Sequence, residues 1–268
     1  MRGKLRQGRQ TYHADVPVPD SVPPVLGLLA EPVRWRLASE LAGGDLRVRE
    51  LVAATGQPQN LVSYHLRQLR AGGLVTARRS SFDARDTYYR LDLDRCAQAL
   101  AAAATALHPG EPPPPGPGGS GDRARGPARR QVLFVCTGNS SRSPMAEALL
   151  RHRGGTQVQA ASAGIRPKPV HPDAAAVMRE RYSIDITGHQ PTRVETLTGQ
   201  RFDYVISLCD KAREACPAFR SRPRLAHWSL PDPAAGEDGL GGYPAFERTA
   251  ADLDTRIRFL LPALAGTG

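Results

Sequence analysis

A cysteine and an arginine enclose a short polar loop in the stretch CTGNSSR, residues 136–142. Small residues let the backbone curl so that successive N–H groups point inward and form a nest for an anion. Arg142 adds a planar, two-pronged donor for a tetrahedral oxyanion. The positive field favours the thiolate form of Cys136, which makes that sulfur a nucleophile, and Ser143 can donate a hydrogen bond to it. The predicted oxyanion-binding residues are Thr137, Gly138, Asn139, Ser140, Ser141 and Ser143.

The elements around this loop must hold it in place. QVLFV, before Cys136, is typical of a buried strand, and Pro144 to Arg153 is predicted to be helical. This order places the loop at the N-terminus of a helix, where backbone N–H groups and the helix dipole favour a negative charge. The sequence therefore predicts an oxyanion site with a nucleophilic sulfur.

The rest of the C-terminal half alternates between strand and helix patterns. The predicted elements are the strand VQAAS, a helix from Pro172 to Tyr182, the strands FDYVISL and RLAHWSL, and a long helix from Ala245 to Leu264. Such alternation indicates an α/β fold with a parallel sheet and helices on both faces. Asp232, in WSLPDPAAG, follows the fourth strand at the carboxyl edge of the sheet, where ligands of such folds bind. It is the predicted proton donor for a leaving group.

The N-terminal half reads as a winged helix-turn-helix. The predicted helices are Val25 to Leu41, Arg47 to Ala54, Pro58 to Arg70 and Arg95 to Leu107, with the strands LVTARR and TYYRLDL before the last helix. Two helices joined by a tight turn and followed by a two-stranded wing are a DNA-binding geometry. Gln and Asn can read adenine edges, and Arg can reach guanine or phosphate. The candidate DNA contacts are Gln59, Asn60, Ser63, Tyr64 and Arg67 on the helix and Arg78, Arg79 and Arg85 on the wing.

Composition separates the two halves and excludes some classes of protein. The predicted division is a flexible N-terminal arm (1–21), a winged helix-turn-helix domain (22–108), a Pro/Gly linker (109–130) and an α/β domain (131–268). The formal net charge of +10 is a mild indication of nucleic acid or oxyanion partners. We expect neither a signal peptide nor a membrane span. Four cysteines without a secretory signal fit a reducing cytoplasm, where they serve catalysis or metal binding more often than structural bridges.

The C-terminal half resembles the low-molecular-weight protein tyrosine phosphatase family over about residues 131–266. VCTGNSSRSPMAEALL, the SAG of AASAGI and the Asp232-Pro233 pair carry the resemblance. The resemblance implies a four-stranded parallel sheet. It also implies that Cys136 is the nucleophile, that Arg142 binds the oxyanion and that Asp232 is the general acid.

The segment SLCDKAREACP resembles the subset of this family that reduces arsenate. The resemblance implies a thiol relay in which Cys209 attacks Cys136 and releases arsenite, and Cys216 then attacks Cys209. Thioredoxin or a low-molecular-weight thiol would reduce the resulting disulfide. No bound cofactor or metal is implied.

The N-terminal half resembles the ArsR/SmtB family of winged-helix repressors over roughly residues 22–108. LAEPVRWRLASEL, ELVAATGQPQNLVSYHLRQLRAGGLV and DTYYRL carry the likeness. It implies a homodimer paired through the first and last helices and bound to an inverted DNA repeat. Arsenic-sensing members often have a cysteine pair where Arg47 and Arg49 stand here, so that arsenite site is absent. Cys96 is the remaining candidate for metal or inducer binding, although a lone cysteine in such a helix is usually a small buried hydrophobe.

Together these patterns predict a transcriptional regulator fused to a thioredoxin-coupled arsenate reductase. Two alternatives stay open. One is a DNA-binding fusion with a protein tyrosine phosphatase, for which Cys209 and Cys216 would be dispensable. The other is a regulator whose C-terminal domain only senses an oxyanion or a redox state.

Overall fold

The computed structural model describes residues 22–107, 129–235 and 241–265. The predicted N-terminal arm, His108 and the predicted linker up to residue 128 lie outside the described residues. No helix within the described ranges is both long and apolar enough to cross a bilayer.

The first domain is a winged helix-turn-helix, as predicted. The elements are α1 (Pro24–Leu29), α2 (Pro32–Gly43), β1 (Leu46–Arg47), α3 (Val48–Thr55), α4 (Gln59–Ala71), β2 (Val75–Arg79), β3 (Thr87–Leu91) and α5 (Leu93–Leu107). The strands form an antiparallel sheet in the order β1-β3-β2. On α4, Val62, Leu66 and Leu69 recur at helical spacing and are buried in the core with Leu37 and Leu51.

The prediction of one continuous helix from Val25 to Leu41 is wrong, because the helix is interrupted between α1 and α2. Pro32 occupies the first turn of α2, where its missing N–H is tolerated, and it disfavours helical backbone at Glu31. Glu31 instead caps α2 by accepting a hydrogen bond from Arg34 N at 2.9 Å. The short strand β1, which pairs with β3, was not predicted.

The second domain is the predicted α/β fold. The elements are β4 (Arg130–Cys136), α6 (Arg142–Gly154), β5 (Val158–Gly164), α7 (Pro172–Tyr182), β6 (Tyr204–Ser207), α8 (Asp210–Glu214), β7 (Arg224–His227) and α9 (Tyr243–Ala265). The four strands are parallel and lie in the order β5-β4-β6-β7. Short 3-10 helices cover Gly155–Gln157 and Val194–Leu197.

The carboxyl ends of the parallel strands meet at one edge of this sheet. β4 is buried from Val132 to Cys136, as expected for a central strand with both faces covered. Cys136 ends β4 and pairs with Gly164, the last residue of β5. Cys209 follows β6 at the same edge, so the topology brings two thiols together.

The two domains share a buried interface. Arg256 Nη2 of α9 lies 3.0 Å from both carboxylate oxygens of Asp45, and both side chains are at most 5% exposed. Asp45 N donates to His227 O at 2.7 Å, which joins the first domain to the end of β7. A Cβ at Gly44 would lie 2.9 Å from His227 O, so a larger residue would hinder this approach.

Candidate active site

Cys136 lies at the bottom of the loop between β4 and α6. Its side chain is buried, and its Sγ accepts a hydrogen bond from Asn139 N at 3.2 Å. Ser143 Oγ lies 3.0 Å from the same sulfur, within hydrogen-bonding distance. Two hydrogen-bonding groups therefore surround the thiol on the loop side.

Residues 165–171 hold the loop by its carbonyl groups. Backbone N–H groups of this segment donate to successive loop carbonyl oxygens at 2.8–3.2 Å. Because each peptide unit is planar, the loop N–H groups opposite these carbonyls face away from the segment, towards the sulfur and the oxyanion position. The acceptors are Cys136, Thr137, Gly138 and Ser140, and the donors are Ile165, Arg166, Lys168 and His171.

Asn139 adopts a left-handed backbone conformation, with φ of 48°, and is fully buried. Its Nδ2 donates to Ser143 Oγ at 3.0 Å and to Ser162 Oγ at 2.8 Å. Its Oδ1 accepts from Thr192 N at 2.8 Å and lies 3.2 Å from His189 Nε2. These contacts hold a conformation that non-glycine residues rarely adopt.

A second layer supports Asn139. Ser162 Oγ donates to Glu147 Oε2 at 2.6 Å, and Arg151 pairs with Glu147 at 2.7 Å. Burial lowers the pKa of His189, although nearby Glu147 acts in the opposite direction. Neither Ser162 nor His189 was predicted to support Asn139, although Ser162 is the first residue of the SAG motif. They lie 23 and 50 residues from Asn139 along the chain, so no local pattern connects them to it.

Arg142 and Asp232 meet at the mouth of the loop. Arg142 Nη2 lies 3.3 Å from Asp232 Oδ2, and Arg142 Nη1 donates to Leu230 O at 3.1 Å. Arg142 is buried, whereas the side chain of Asp232 is 40% exposed. A cavity of about 270 Å³ is lined by Asp232 and by Arg78, Tyr88 and Arg90 of the first domain. The predicted acid thus lies at the entrance to the predicted oxyanion site.

Cys209 reaches the same loop from the next strand. Its buried Sγ lies 3.2 Å from Thr137 Oγ1. Cys216 is half-buried at the other end of α8 and packs against the domain core. Burial, with a contribution from Glu195, raises the pKa of the Cys216 thiol to about 11. Within the described residues the four cysteines are free thiols.

Cys96 lies in α5 of the first domain, partly buried against its core. Burial, with a contribution from Asp92, raises the pKa of its thiol. In the part of the chain that the structure describes, no group of three or more His, Cys, Asp or Glu side chains could hold a metal ion.

The predicted DNA contacts occupy two different surfaces. Six of the predicted contacts are exposed on the outer side of α4 or at the wing, namely Gln59, Asn60, Tyr64, Arg67, Arg79 and Arg85. Ser63 on α4 is half-buried. Arg78 faces the second domain instead, where its Nη2 donates to Asp210 Oδ2 at 3.1 Å and to Ser229 Oγ at 2.6 Å. Neighbouring residues of a strand point to opposite faces, which is why Arg78 and Arg79 differ. The catalytic and DNA-binding roles of all these residues stay predictions.

Residues 131–267 match the family described as low molecular weight phosphotyrosine protein phosphatase. The chain belongs to this family. Residues 31–77 match a second family, described as bacterial regulatory protein, arsR family. This member of the low-molecular-weight phosphatase family is thus fused to an ArsR-type helix-turn-helix segment, which confirms the two predicted resemblances.

Curated relatives of this family member are arsenate reductases. One from Bacillus anthracis is 35% identical over 130 residues, which cover 48% of this chain and 92% of the relative. Arsenate reductase 1 from Staphylococcus haemolyticus is 32% identical over 130 residues, covering 48% and 93%. A solved arsenate reductase in the oxidized state is 30% identical, covers 50% of this chain and 98% of its own, and has a TM-score of 0.45. A phosphatase from T. tengcongensis is 25% identical, with coverages of 50% and 99% and a TM-score of 0.42.

Proposed function

We propose that the second domain reduces arsenate to arsenite through Cys136, Cys209 and Cys216. The observation that carries this proposal is the second thiol beside the oxyanion loop, with Cys209 Sγ 3.2 Å from Thr137 Oγ1. Hydrolysis of a phosphate ester needs one nucleophilic sulfur, whereas two-electron reduction of an oxyanion needs a second thiol within reach of the first. The 35% identity to an arsenate reductase supports the same conclusion.

The first step forms a covalent adduct. Cys136 Sγ attacks the arsenic atom while the loop N–H groups and Arg142 hold the remaining oxygens. Asp232 donates a proton to the departing oxygen, which leaves as water. The position of Asp232 at the loop mouth, 3.3 Å from Arg142, suits this role.

The next two steps exchange thiols. Cys209 Sγ attacks Cys136 Sγ; the arsenic–sulfur bond breaks, its electron pair stays on arsenic, and arsenite leaves. Two thiols have then lost two electrons, and arsenic has gained them. Cys216 Sγ attacks Cys209 Sγ and frees Cys136, which leaves a Cys209–Cys216 disulfide. Thioredoxin or a low-molecular-weight thiol reduces this disulfide, and a reducing compartment such as the cytoplasm suits the cycle.

The decisive experiment measures arsenate-dependent NADPH oxidation with thioredoxin and thioredoxin reductase. Cys136→Ser, Cys209→Ser and Cys216→Ser are each expected to abolish steady-state turnover, and Cys96→Ser in the first domain is the matched control. In a single turnover without reductant, Cys216→Ser should still release arsenite, since the first two steps do not use that thiol. Loss of the burst in Cys216→Ser would contradict this order of steps.

A phosphatase is the second candidate, because Cys136, Arg142 and Asp232 form a complete hydrolytic set. It predicts that aryl phosphate hydrolysis survives Cys209→Ser and Cys216→Ser while arsenate turnover is absent. Oxyanion-dependent DNA binding with negligible turnover would instead indicate a regulator whose second domain only senses its ligand.

For the first domain we propose binding to operator DNA with an inverted repeat. The exposed polar side of α4, with Gln59, Asn60 and Arg67, supports this role, since such side chains read base edges in the major groove. With duplexes selected from a random pool, Arg67→Ala should weaken binding about tenfold, a loss typical of one base or phosphate contact. Exposed Arg36→Ala on α2 is the charge-matched control. Equal affinities of the two variants would exclude α4 as the reading helix.

The proposed homodimer pairs through the first and last helices of the first domain. Leu26 of α1 and Leu100 of α5 are exposed at 37% and 38%, and Val22 before α1 is exposed at 70%. These apolar side chains give α1 and α5 a surface that a second copy would cover. Light scattering should show a dimer for the wild type and a monomer for Leu26→Glu with Leu100→Glu. A monomeric wild type would remove this part of the proposal.

A further inference from the structure

The first domain holds α8, the short helix between Cys209 and Cys216. Side chains from β1, α3 and the wing contact residues at both ends of α8. α8 is five residues long, and Ala212 packs into the core of the second domain. The position of α8 therefore depends on contacts with both domains.

Asp210 anchors the start of α8, directly after Cys209. Its carboxylate is fully buried and accepts from Ser81 N at 2.7 Å, Ser81 Oγ at 3.0 Å and Arg78 Nη2 at 3.1 Å. Within its own domain it accepts from Ser229 Oγ at 2.6 Å and lies 3.0 Å from His227 Nε2. Burial acts to raise the pKa of Asp210, but these hydrogen bonds and the Arg78 charge outweigh it and hold the pKa well below its usual range.

The other end of α8 is tied to β1 and α3. Arg213 pairs with Glu50, and Arg47 Nη1 lies 3.1 Å from Glu214 Oε1. The guanidinium groups of Arg213 and Arg47 lie 5.2 and 5.5 Å from the ring centre of Tyr88. Charges and an aromatic ring of the first domain thus fix the side chains of the last turn.

Cys209 directly precedes the first residue of α8, and Cys216 lies two residues beyond its last residue. Both thiols are free in this structure, and a disulfide needs their Cα atoms within about 7 Å of each other. Pairing them brings the two ends of α8 together, so the relay unwinds or displaces α8 before its last exchange. The half-buried position of the Cys216 thiol, with its raised pKa, also indicates that this thiol reacts from an opened segment.

We propose that Arg78 and Ser81 of the wing are positioning residues for the thiol relay, which hold α8 closed and restrain formation of the Cys209–Cys216 disulfide. The inference rests on the proposed function in one respect, namely that this disulfide is the product of arsenate reduction. In the relay, Cys216 Sγ attacks Cys209 Sγ, the Cys209–Cys216 bond forms, the Cys136–Cys209 bond breaks, and Cys136 leaves as a thiolate. With an external disulfide as the oxidant, the Cys209 and Cys216 thiols lose two electrons and the external disulfide is reduced to two thiols. Oxidation frees Arg78 and Ser81 from Asp210 and so links the redox state of the second domain to the wing of the first.

The test compares full-length Arg78→Ala and Arg78→Lys with Arg36→Ala, an exposed arginine of the same domain. The first measurement is hydrogen exchange of the reduced protein at the amides of Arg213 and Ala215, which donate within α8 to Cys209 O and Lys211 O. Arg78→Ala should exchange about tenfold faster there than Arg36→Ala, as expected for the loss of hydrogen bonds to a buried carboxylate, and Arg78→Lys should lie between them.

The second measurement is the equilibrium between the Cys209–Cys216 dithiol and disulfide in glutathione buffers, in a Cys136→Ser background. Arg78→Ala should favour the disulfide about tenfold over Arg36→Ala, or about 30 mV for a two-electron couple. Equal exchange rates and equal potentials in the two variants would overturn the proposal, as would a Cys209–Cys216 disulfide that forms in no variant. Neither measurement uses arsenate. A shift in both, without arsenate turnover, would leave the restraint of α8 standing and reject the proposed reductase.

Discussion

Gly164 illustrates how a single residue sets the shape of the oxyanion loop. A Cβ at this position would lie 2.8 Å from Asn139 N and 3.0 Å from Gly138 C. These neighbours are backbone atoms, so they could give way only if the loop moved. Gly164 belongs to the SAG motif of the family resemblance, but the motif does not explain why a glycine is needed there. The explanation is the pairing of Gly164 with Cys136, which places it against the loop.

Gly164→Ala is expected to lower kcat/KM for arsenate at least tenfold. The added methyl group would displace Asn139, whose N–H donates to Cys136 Sγ, and small displacements of reacting groups are costly. Gly188→Ala is the control, because a Cβ there meets nothing within 4 Å. Steady-state kinetics and circular dichroism would separate a local effect from misfolding. Full activity in Gly164→Ala would contradict the close packing described here.

Cys216 is expected to resist alkylation near neutral pH. Its thiol has a pKa of about 11, so in the folded protein the thiolate fraction rises about tenfold for each pH unit between 7 and 9. The rate of iodoacetamide labelling, followed by mass spectrometry, should rise in parallel. Because the folded pKa is raised above the usual value of 9.0, stability from the buried thiol is present below pH 9 and declines above it. A labelling rate that is constant above pH 8 would exclude a buried Cys216.

At the scale of elements, hydrophobic periodicity predicted the type and order of the helices and strands better than it predicted where each one begins and ends. The α7 bounds, Pro172–Tyr182, match the prediction because Pro and a hydrophobic period mark them locally. The break before α2 was missed, since Leu28, Leu29 and Trp35 keep helical spacing across it. A proline inside a periodic pattern should have outweighed that spacing.

Glu31→Ala tests the cap that replaces the predicted continuous helix. Loss of the hydrogen bond from Arg34 N should lower the free energy of unfolding by about 1 kcal/mol, the usual value of an N-cap. Glu40→Ala, at an exposed position of the same helix, should change it by less than about 0.5 kcal/mol. Urea unfolding gives both values, and equal midpoints would show that Glu31 does not stabilise α2.

At the scale of the whole molecule, the sequence predicted two domains but not their contact. The predicted Pro/Gly linker contains no signal for packing between the domains that it joins. The interface instead pairs Asp45 with Arg256, 211 residues away, and Arg78 with Asp210, 132 residues away. Charges so distant in sequence leave no periodic signal, and each reads as an ordinary surface residue. Arg78 was predicted to contact DNA for the same reason, because its partner Asp210 cannot be recognised from the sequence around Arg78.

The buried pair of Asp45 and Arg256 provides a test of this contact. Asp45→Ala should lower the free energy of unfolding by about 3 kcal/mol, because the buried Arg256 charge loses one of its two carboxylate partners within the described residues and keeps Asp252, at 3.2 Å. We expect calorimetry to show separate transitions for the two domains of this variant. Asp83→Ala at the exposed wing is the control.

The double variant Asp45→Ala with Arg256→Met distinguishes loss of a favourable pair from burial of a lone charge. Removing both charges should recover a large part of the stability that Asp45→Ala loses, because the desolvation cost of the guanidinium disappears with it. It should not restore a single transition, since the hydrogen bond from Ser229 N to Asp45 Oδ2, at 2.7 Å, is also lost. A double variant less stable than Asp45→Ala would mean that Arg256 stabilises the second domain independently of the interface.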